Sequence, residues 1–213
     1  MHKLDSISLR ILGCLIEKQS TTPDQYPLTL NSLLNACNQK SSRNPVMNLT
    51  TAEVGPRLNE LEREDWIKRE YSSRAEKFSH RVNIKLDLTR NKMAVMTVLM
   101  LRGPLTLGEI RTSSARIAEF DSLDAVSYYV KQLIERDEPL VELMPRQPGE
   151  SADRYQQLLS PIIISDTPVP AVSAAKSITA PVTELQILEA RFKAMEQRIE
   201  ALEKLVSDDD GLV

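Results

Sequence analysis

The sequence predicts a mostly helical α+β protein, with two tandem winged helix-turn-helix domains and a C-terminal coiled-coil-like helix. The stretch from Leu28 to Leu86 has the pattern of a short helix, a polar turn, a longer helix and a two-stranded hairpin. A looser copy of this order follows, and the tail carries an apolar heptad repeat. The predicted parts are a first domain over 1–88, a second domain over 89–160, a Pro-, Ala- and Ser-containing linker over 161–182, a heptad helix over 183–206 and a disordered acidic tail over 207–213.

Two helices are predicted before the polar turn. The first runs from about Leu4 to Gln19, because its apolar residues recur on one face at helical spacing, and the prolines of "STTPDQYP" end it. The second begins after Pro27 and Thr29, which are helix start signals. Its apolar face includes Leu33 and Cys37.

The polar run "NQKSSRNPVMN" interrupts the helical spacing and predicts a turn. The next helix starts near Thr50, which has capping-box spacing to Glu53. Gly55 and Pro56 leave two alternatives open. Either the first turn is irregular, or the helix begins nearer Gly55 with the proline in its first turn.

After Asp65 the spacing changes to alternation, which is typical of strands. The run "WIKREYS" alternates throughout, and "RVNIKL" places Val82, Ile84 and Leu86 on one face. We therefore predict two strands, with the polar segment "SRAEKFSH" between them as the wing connection.

A second copy of the same order begins near Thr89. The run "RNKMAVMTVLMLRG" is apolar nearly all round, which predicts a helix buried on several sides. The segment "LTLGEIRTSS" then resembles "LTLNSLLNAC", and "SLDAVSYYVKQLIERDEPLVEL" resembles "LTTAEVGPRLNELEREDWIKRE". The segments "PLVELMP" and "DRYQQLL" are the predicted strands of the second wing. This pattern indicates an internal duplication of about 75–80 residues.

The tail has apolar residues spaced alternately by three and four positions, which predicts a coiled coil. The predicted dimerisation residues are Leu185, Leu188, Phe192, Met195, Ile199, Leu202 and Val206. The flanking charges favour a parallel homodimer, since Arg191 would face Glu196 of the partner subunit. The alternative is that this helix folds back on its own domains.

Composition and charge restrict the class of protein. Hydrophobic residues make up 41% of the chain, which is enough for real cores, and no stretch approaches the length of a membrane span. The N-terminus has no long apolar run, so we expect no signal peptide, no membrane association and a cytoplasmic location. The net charge of −3 argues against a generic nucleic-acid binder, although the first 88 residues are net positive.

The sequence offers little for catalysis. Its two histidines are His2 and His80, and its six glycines form no phosphate-binding loop. Cys14 and Cys37 lie on predicted apolar helix faces and match no metal-ligand spacing, so free buried thiols are expected. We expect no enzyme, no catalytic residue, no cofactor and no metal site.

DNA binding is the function that the predicted fold suggests. The helix from about Thr51 to Glu64 would enter the major groove, and the wing would contact phosphate or the minor groove. The candidate nucleic-acid-binding residues are Lys40, Arg43, Arg57, Arg63, Lys68, Arg69, Arg74, Lys77 and Arg81. Acidic residues outnumber arginines on the predicted groove helix, so binding would be weak unless the carboxylates face away from phosphate.

Protein–protein interaction is the alternative class of function. Winged helices also serve as docking modules, and a fold does not decide a function. An acidic helix, a linker and a heptad segment all suit a scaffold or adaptor. The partner would then be another protein in place of double-stranded DNA.

The polar turn and the loop before the short helix form a candidate contact loop. Its members are Gln25, Tyr26, Asn38, Gln39, Ser41 and Ser42. Polar residues gathered in a turn can present several hydrogen-bond donors together. The structural alternative is that they bond to the backbone and fix the turn.

The run "LGCLIEKQSTTPDQYPLTLNSLLNACNQKSSRNPVMNLT" resembles the YceH-like family of bacterial proteins, and the resemblance continues more weakly to about Ser160. It implies a tandem winged-helix fold and no established biochemical activity. The best-marked segments of that family correspond here to Glu17–Gln19, Thr22–Pro27 and Asn38–Arg43. The Gly55-Pro56 pair departs from the regular helix expected at that place.

Overall fold

A computed structural model of the chain describes residues 3–71, 75–146 and 151–160. The described residues are α+β, with helices predominating and two small antiparallel sheets. They lie within one compact unit, Met1–Ile164. The predicted linker 161–182, the heptad helix 183–206 and the tail 207–213 lie outside the described residues, so the coiled coil stays a prediction.

The first helix, α1 (Ser6–Thr21), is the central helix of the first half. The Asp5 side chain caps it by accepting a hydrogen bond from the Ser8 amide at 2.7 Å, which satisfies one of the free amides of the first turn. The helix therefore begins two residues later than the predicted Leu4. Nine consecutive residues, 8–16, are buried, so α1 has packing partners all round and not only along one stripe.

A short strand, β1 (Leu28–Thr29), leads into α2 (Leu30–Cys37), and Thr29 caps α2 as predicted. The next helix is α3 (Thr51–Arg63). Thr50 and Glu53 form its capping box, so the alternative of a start near Gly55 is wrong. Pro56 lies inside the helix.

The hairpin consists of β2 (Ile67–Tyr71) and β3 (Glu76–His80), and it corrects the sequence prediction. The first predicted strand is confirmed, but the second lies within the segment that was expected to be the wing connection. The stretch predicted as that strand instead contains a short helix, α4 (Val82–Lys85). Val82 and Leu86 are buried four residues apart, as on a helix, whereas Ile84 between them is 66% exposed. β1 completes the sheet by pairing with β3, in the order β1-β3-β2.

The second half repeats this order of elements. It comprises α5 (Arg90–Arg102), α6 (Leu107–Ser114), α7 (Leu123–Ile134), β4 (Val141–Leu143) and β5 (Tyr155–Gln157). Thr106 caps α6 as Thr29 caps α2, and Leu105 bridges to β5 as β1 pairs with β3. The two predicted strands of the second half are confirmed. The winged-helix assignment and the boundary between two domains at residue 88 stay predictions.

The two halves meet through α1 and α5. Gly13 allows a close approach, because a Cβ added there would lie 2.8 Å from Leu101 Cδ2. The amide of Asn44 donates to the Leu101 carbonyl at 2.8 Å, and the amide of Leu4 donates to Leu159 at 2.7 Å. The helix α5 is buried from Met93 to Leu101, as its apolar sequence predicted. One hydrophobic core therefore runs through both halves.

The two cysteines can be compared with the sequence prediction. Cys14 and Cys37 are free and buried, as expected. The hydrogen bond with Cys14 and burial raise the pKa of the Cys37 thiol, which favours its protonated form. No helix among the described residues is long and apolar enough to cross a membrane. The same residues contain no group of three His, Cys, Asp or Glu side chains that could hold a metal ion.

Candidate functional site

The outward face of α3 is the candidate site that the predicted function requires. Val54, Leu58 and Leu61 are buried and fix the inward face of this helix. The opposite face carries a stripe of exposed side chains at helical spacing. This outward stripe consists of Ala52, Pro56, Asn59 and Arg63. It contains two small or apolar side chains, one amide and one guanidinium, and no carboxylate.

The carboxylates of α3 are engaged by neighbouring groups. Glu53 accepts from the Thr50 amide at 2.8 Å and from the Thr50 hydroxyl at 2.7 Å, and these bonds lower its pKa. Glu60 pairs with Arg57 at 2.9 Å, and Glu62 contacts Arg69 at 2.9 Å. The acidic composition of the helix therefore does not describe its outward stripe, because the acids flank that stripe and have partners.

Arg57 and Arg81 were predicted to contact nucleic acid, but the structure gives each of them an acidic partner. Arg57 forms an ion pair with Asp5 in addition to Glu60. Arg81 lies 3.3 Å from the Asp65 carboxylate at the end of α3. Neither guanidinium lies on the outward stripe, so both are weaker candidates than Arg63.

Arg69 joins the hairpin to α3. Its side chain is only 14% exposed, and it contacts Glu62 at 2.9 Å and Glu76 at 3.3 Å. It also donates to the Asn59 side-chain oxygen and lies over the Phe78 ring, 5.2 Å from the centroid. These contacts hold Arg69 in place, so we interpret it as a residue that orients Asn59 and not as a phosphate contact.

Four of the predicted cations remain accessible, and a fifth is undecided. Lys40 and Arg63 are exposed and have no ion pair with another described residue. Lys68 is 61% exposed, 3.3 Å from Glu70, and Lys77 is half-buried opposite Glu70 in the β2–β3 register. Arg74 lies outside the described residues.

Arg43 was predicted to contact DNA, but the structure buries its side chain, which makes it a weaker candidate than the exposed cations. Its guanidinium donates to both carboxylate oxygens of Glu17, at 2.6 and 3.2 Å, and to the carbonyls of Ala36 and Ser42, at 3.1 and 2.9 Å. Burial alone would lower the pKa of Arg43, but hydrogen bonds to Glu17 raise it. Burial alone would raise the pKa of Glu17, but the hydrogen bonds from Arg43 lower it. The pair therefore stays ionised and fixes the loop between α2 and α3.

Most of the predicted contact loop fixes its own backbone. The Asn38 amide group donates to the Leu49 carbonyl at 2.8 Å and accepts from the Leu49 amide at 2.7 Å, which closes the loop. Gln39 accepts from Arg43 at 3.0 Å. Ser42 has a positive φ of 61° and accepts a hydrogen bond from Arg102 at 2.9 Å. These contacts favour the structural alternative for Asn38 and Gln39, whereas Ser41 is exposed.

The other part of the contact loop lies beside His80. Gln25 is exposed, but the Tyr26 hydroxyl accepts a hydrogen bond from the His80 amide at 2.7 Å, and burial raises the pKa of Tyr26 to about 12. The His80 ring contacts the Gln19 side-chain oxygen at 2.7 Å through Nε2. Burial lowers the pKa of His80 to about 4. This group is a neutral structural cluster, so Tyr26 has a packing role.

Arg63 is among the predicted residues of the outward stripe, whereas Ala52, Pro56 and Asn59 are not. The signal was present, since the helical positions opposite Val54, Leu58 and Leu61 include Asn59. The net charge of α3 does not reveal this stripe, because the helix is acidic as a whole. Composition gave the number of acids, whereas the helical phase gives the direction in which each one points.

Comparison with known proteins identifies the family. A family model described as "Protein of unknown function, DUF480" matches residues 4–150. The chain belongs to this family. A UPF0502 protein of Xanthomonas campestris pv. campestris strain B100 is 41% identical over 204 residues, which cover 96% of this chain and 91% of the relative. One from Pseudomonas fluorescens strain SBW25 is 41% identical over 208 residues, covering 95% and 94%. One from Hahella chejuensis strain KCTC 2396 is 42% identical over 203 residues, covering 92% and 91%.

The DUF480 match extends from the start of the first half to beyond β4. It includes the outward stripe of α3, the Arg43–Glu17 pair and the contact between α1 and α5. The UPF0502 relatives match nearly the whole length of this chain. Both halves thus belong to the region that defines the family. The names of these relatives state no activity.

Proposed function

We propose that this DUF480 protein is a tandem winged-helix protein that binds double-stranded DNA and acts as a transcription-associated regulator in the cytoplasm. The observation that supports this function is the outward stripe of α3, which carries no carboxylate although the helix is acidic. Such a face would direct Arg63 and Asn59 towards the duplex while the carboxylates lie to either side, where the repulsion from phosphate is weaker. The order of helices and the β1-β3-β2 sheet support the winged-helix assignment. The proposed function is binding, without catalysis.

The chemistry of the stripe suits the major groove. An arginine side chain can donate two hydrogen bonds to guanine, and an asparagine side chain can pair with adenine. Arg63 and Asn59 supply these two groups, while Ala52 and Pro56 leave room for the helix to come close. Lys68 and Lys77 on the hairpin would contact phosphate.

The first test is fluorescence anisotropy of the full-length protein with random-sequence duplex DNA at about 50 and 200 mM salt. We expect micromolar binding that weakens steeply at the higher salt, because neutralising phosphates releases counterions. Arg63→Ala should weaken binding by roughly 1–3 kcal/mol on a preferred sequence, since it would remove a base contact.

Arg57→Ala is the matched control for Arg63→Ala. It removes the same side chain from the same helix, but from a position that is paired with Asp5 and Glu60. Binding within about twofold of the wild type is expected, since Arg57 is not on the stripe. Equal losses for the two variants would mean that the stripe does not contact the duplex.

A protein-binding adaptor is the second candidate function. Tyr71, at the end of β2, is 77% exposed, and a large aromatic side chain of this kind is enriched at protein interfaces. If the full-length protein fails to bind duplex DNA at the lower salt, the adaptor becomes the better explanation.

The heptad segment supports a homodimer as part of the same proposal, since dimers bind paired half-sites on DNA. A chain truncated after Ser160 removes all seven predicted dimerisation residues. We expect light scattering to give a dimer for the full-length chain and a monomer for the truncated chain. The same stoichiometry for both would rule out the tail as the dimer interface.

A further inference from the structure

A cleft of about 480 Å³ lies where the two halves meet. Its walls come from the end of α1, the loop after α2, the helix α5, and the end of α6 with the residues that follow it. The charged side chains that line it are Glu17, Lys18, Lys40, Arg102 and Arg116. Both halves of the fold therefore contribute to one concave polar surface.

The cleft is strongly cationic. Its described lining has four cationic side chains, Lys18, Lys40, Arg102 and Arg116, and one carboxylate, that of Glu17. The Glu17 carboxylate is already paired with the buried Arg43 guanidinium, at 2.6 Å. Little negative charge is thus left to balance the four cations, and their mutual repulsion would be relieved by a bound anion.

Each cation has donor capacity left for a ligand. Arg102 makes one hydrogen bond, from Nη2 to the Ser42 hydroxyl at 2.9 Å, and a guanidinium has five N–H groups. Lys40 and Arg116 are exposed, and neither has an ion pair with another described residue. Lys18 forms an ion pair with Glu17 at 3.6 Å, and its ammonium has three N–H groups, so donors remain for a ligand. The hydroxyls of Ser41 and Ser113 add neutral donors nearby.

We propose that this cleft binds a small phosphate-bearing molecule of about the size of a mononucleotide. Arginine and serine donors match phosphate oxygens, and two arginines can each bind them in a two-pronged way. A volume of about 480 Å³ lies within the range of small-molecule sites. The concave shape favours a small anion over a duplex, which requires an extended basic surface.

The proposed ligand would contact both halves at once. Lys18 and Lys40 belong to the first half, whereas Arg102 and Arg116 belong to the second. A ligand that binds only the folded state with both halves in place stabilises that state by mass action. This inference does not depend on DNA binding, because the outward stripe of α3 contributes no residue to the cleft.

The test uses the full-length protein and isothermal titration calorimetry with ATP, pyrophosphate and inorganic phosphate, at ionic strength matched with sodium chloride. We expect saturable binding of ATP with one site per chain, and a Tm that rises with ATP concentration. Arg116→Gln should weaken ATP binding about tenfold or more, since a hydrogen bond to a charged group is lost. Arg116 is exposed, so this variant is expected to fold.

Lys131→Gln is the matched control, because it also removes one positive charge from the second half and Lys131 lies on α7, outside the cleft lining. It should bind ATP as the wild type does. Equal loss in Arg116→Gln and Lys131→Gln would overturn the proposal, because it would show a general charge effect. No saturable binding of any of the three probes would also overturn it.

Measuring both ATP binding and duplex DNA binding in the same variants shows whether the cleft binds a small phosphate compound or a nucleic-acid backbone. If ATP is not bound but Arg116→Gln weakens duplex binding, the cleft cations serve a nucleic-acid backbone and the small-molecule proposal fails. If ATP binds, Arg116→Gln weakens that binding and Arg63→Ala leaves it unchanged, the proposal holds whatever the outcome of the DNA experiment. ATP binding that Arg116→Gln does not weaken would overturn it, because the ligand would then lie outside the cleft.

Discussion

Arg43→Ala is expected to lower the free energy of unfolding by about 3 kcal/mol, because the partly buried Glu17 carboxylate would lose both of its hydrogen bonds from Arg43 and keep only the more distant Lys18. The substitution also removes the donors to the Ala36 and Ser42 carbonyls, which hold the loop between α2 and α3. Denaturant unfolding followed by circular dichroism measures the change. Arg43→Lys should recover only part of the loss, because an ammonium cannot reproduce the two-pronged contact with Glu17.

Lys40→Ala is the control for the Arg43 series. Lys40 lies three residues away in the same loop, but it is exposed and has no ion pair with another described residue. Its removal should change stability by no more than about 0.5 kcal/mol. A loss below about 1 kcal/mol for Arg43→Ala would mean that the buried pair does not hold the loop.

Acidification from pH 6.5 to pH 4 is expected to cost about 3 kcal/mol of stability through His80 alone, in addition to any carboxylate effects. Burial lowers the folded-state pKa of His80 from 6.5 to about 4, so the unfolded chain binds a proton in this interval and the folded chain does not. Protonation therefore favours unfolding. The stability is complete above pH 6.5, falls as the pH decreases, and levels off below the folded-state pKa.

His80→Gln tests this dependence on pH. An amide does not titrate, and it can keep a hydrogen bond to Gln19, so the slope of stability between pH 6.5 and pH 4 should become smaller. His2→Gln removes the other histidine of the sequence and should keep the wild-type slope. If the wild type and both variants lose stability equally over this interval, protonation of His80 is not the cause of the loss.

Local signals predicted much of the fold. The starts of α2 and α3 were predictable from their caps, Thr29 and Thr50. A capping hydroxyl and the amides that it satisfies are only two or three residues apart. The buried helix α5 was also predictable, since its apolar composition leaves no solvated face. Interactions of this kind are encoded within a short window, so the sequence is enough to find them.

The second strand of the hairpin could not be found in this way. Val82 and Leu86 suit a helical turn as well as an alternating strand, and three apolar residues do not separate the two periods. Phe78 decides the outcome, because it pairs with both Leu28 and Arg69 in the sheet and is buried. Leu28 is distant in sequence from Phe78, so only the assembled structure shows that this segment is the central strand of the sheet.

The residues of the candidate site likewise include some that a local sequence pattern can identify and some that it cannot. Arg43 and Arg63 are the same residue type in adjacent polar segments, and both were predicted to contact DNA. Arg43 is buried because Glu17 lies 26 residues earlier on α1, which no local pattern reveals. Arg63 is exposed because of the helical phase of α3, which its buried positions could have shown. The cationic cleft was beyond prediction, since its walls come from four separate segments.

The close approach at Gly13 also limits how this protein can change over evolutionary time. Modules that are strung together on linkers can be shuffled, duplicated or lost one at a time. Here a helix of each half forms part of the other half's interior, so a gene encoding only residues 1–88 would leave an apolar helix face in water. The two halves can therefore be inherited only together. The distance between their outward surfaces is fixed by the shared core, whereas a flexible linker would let it vary.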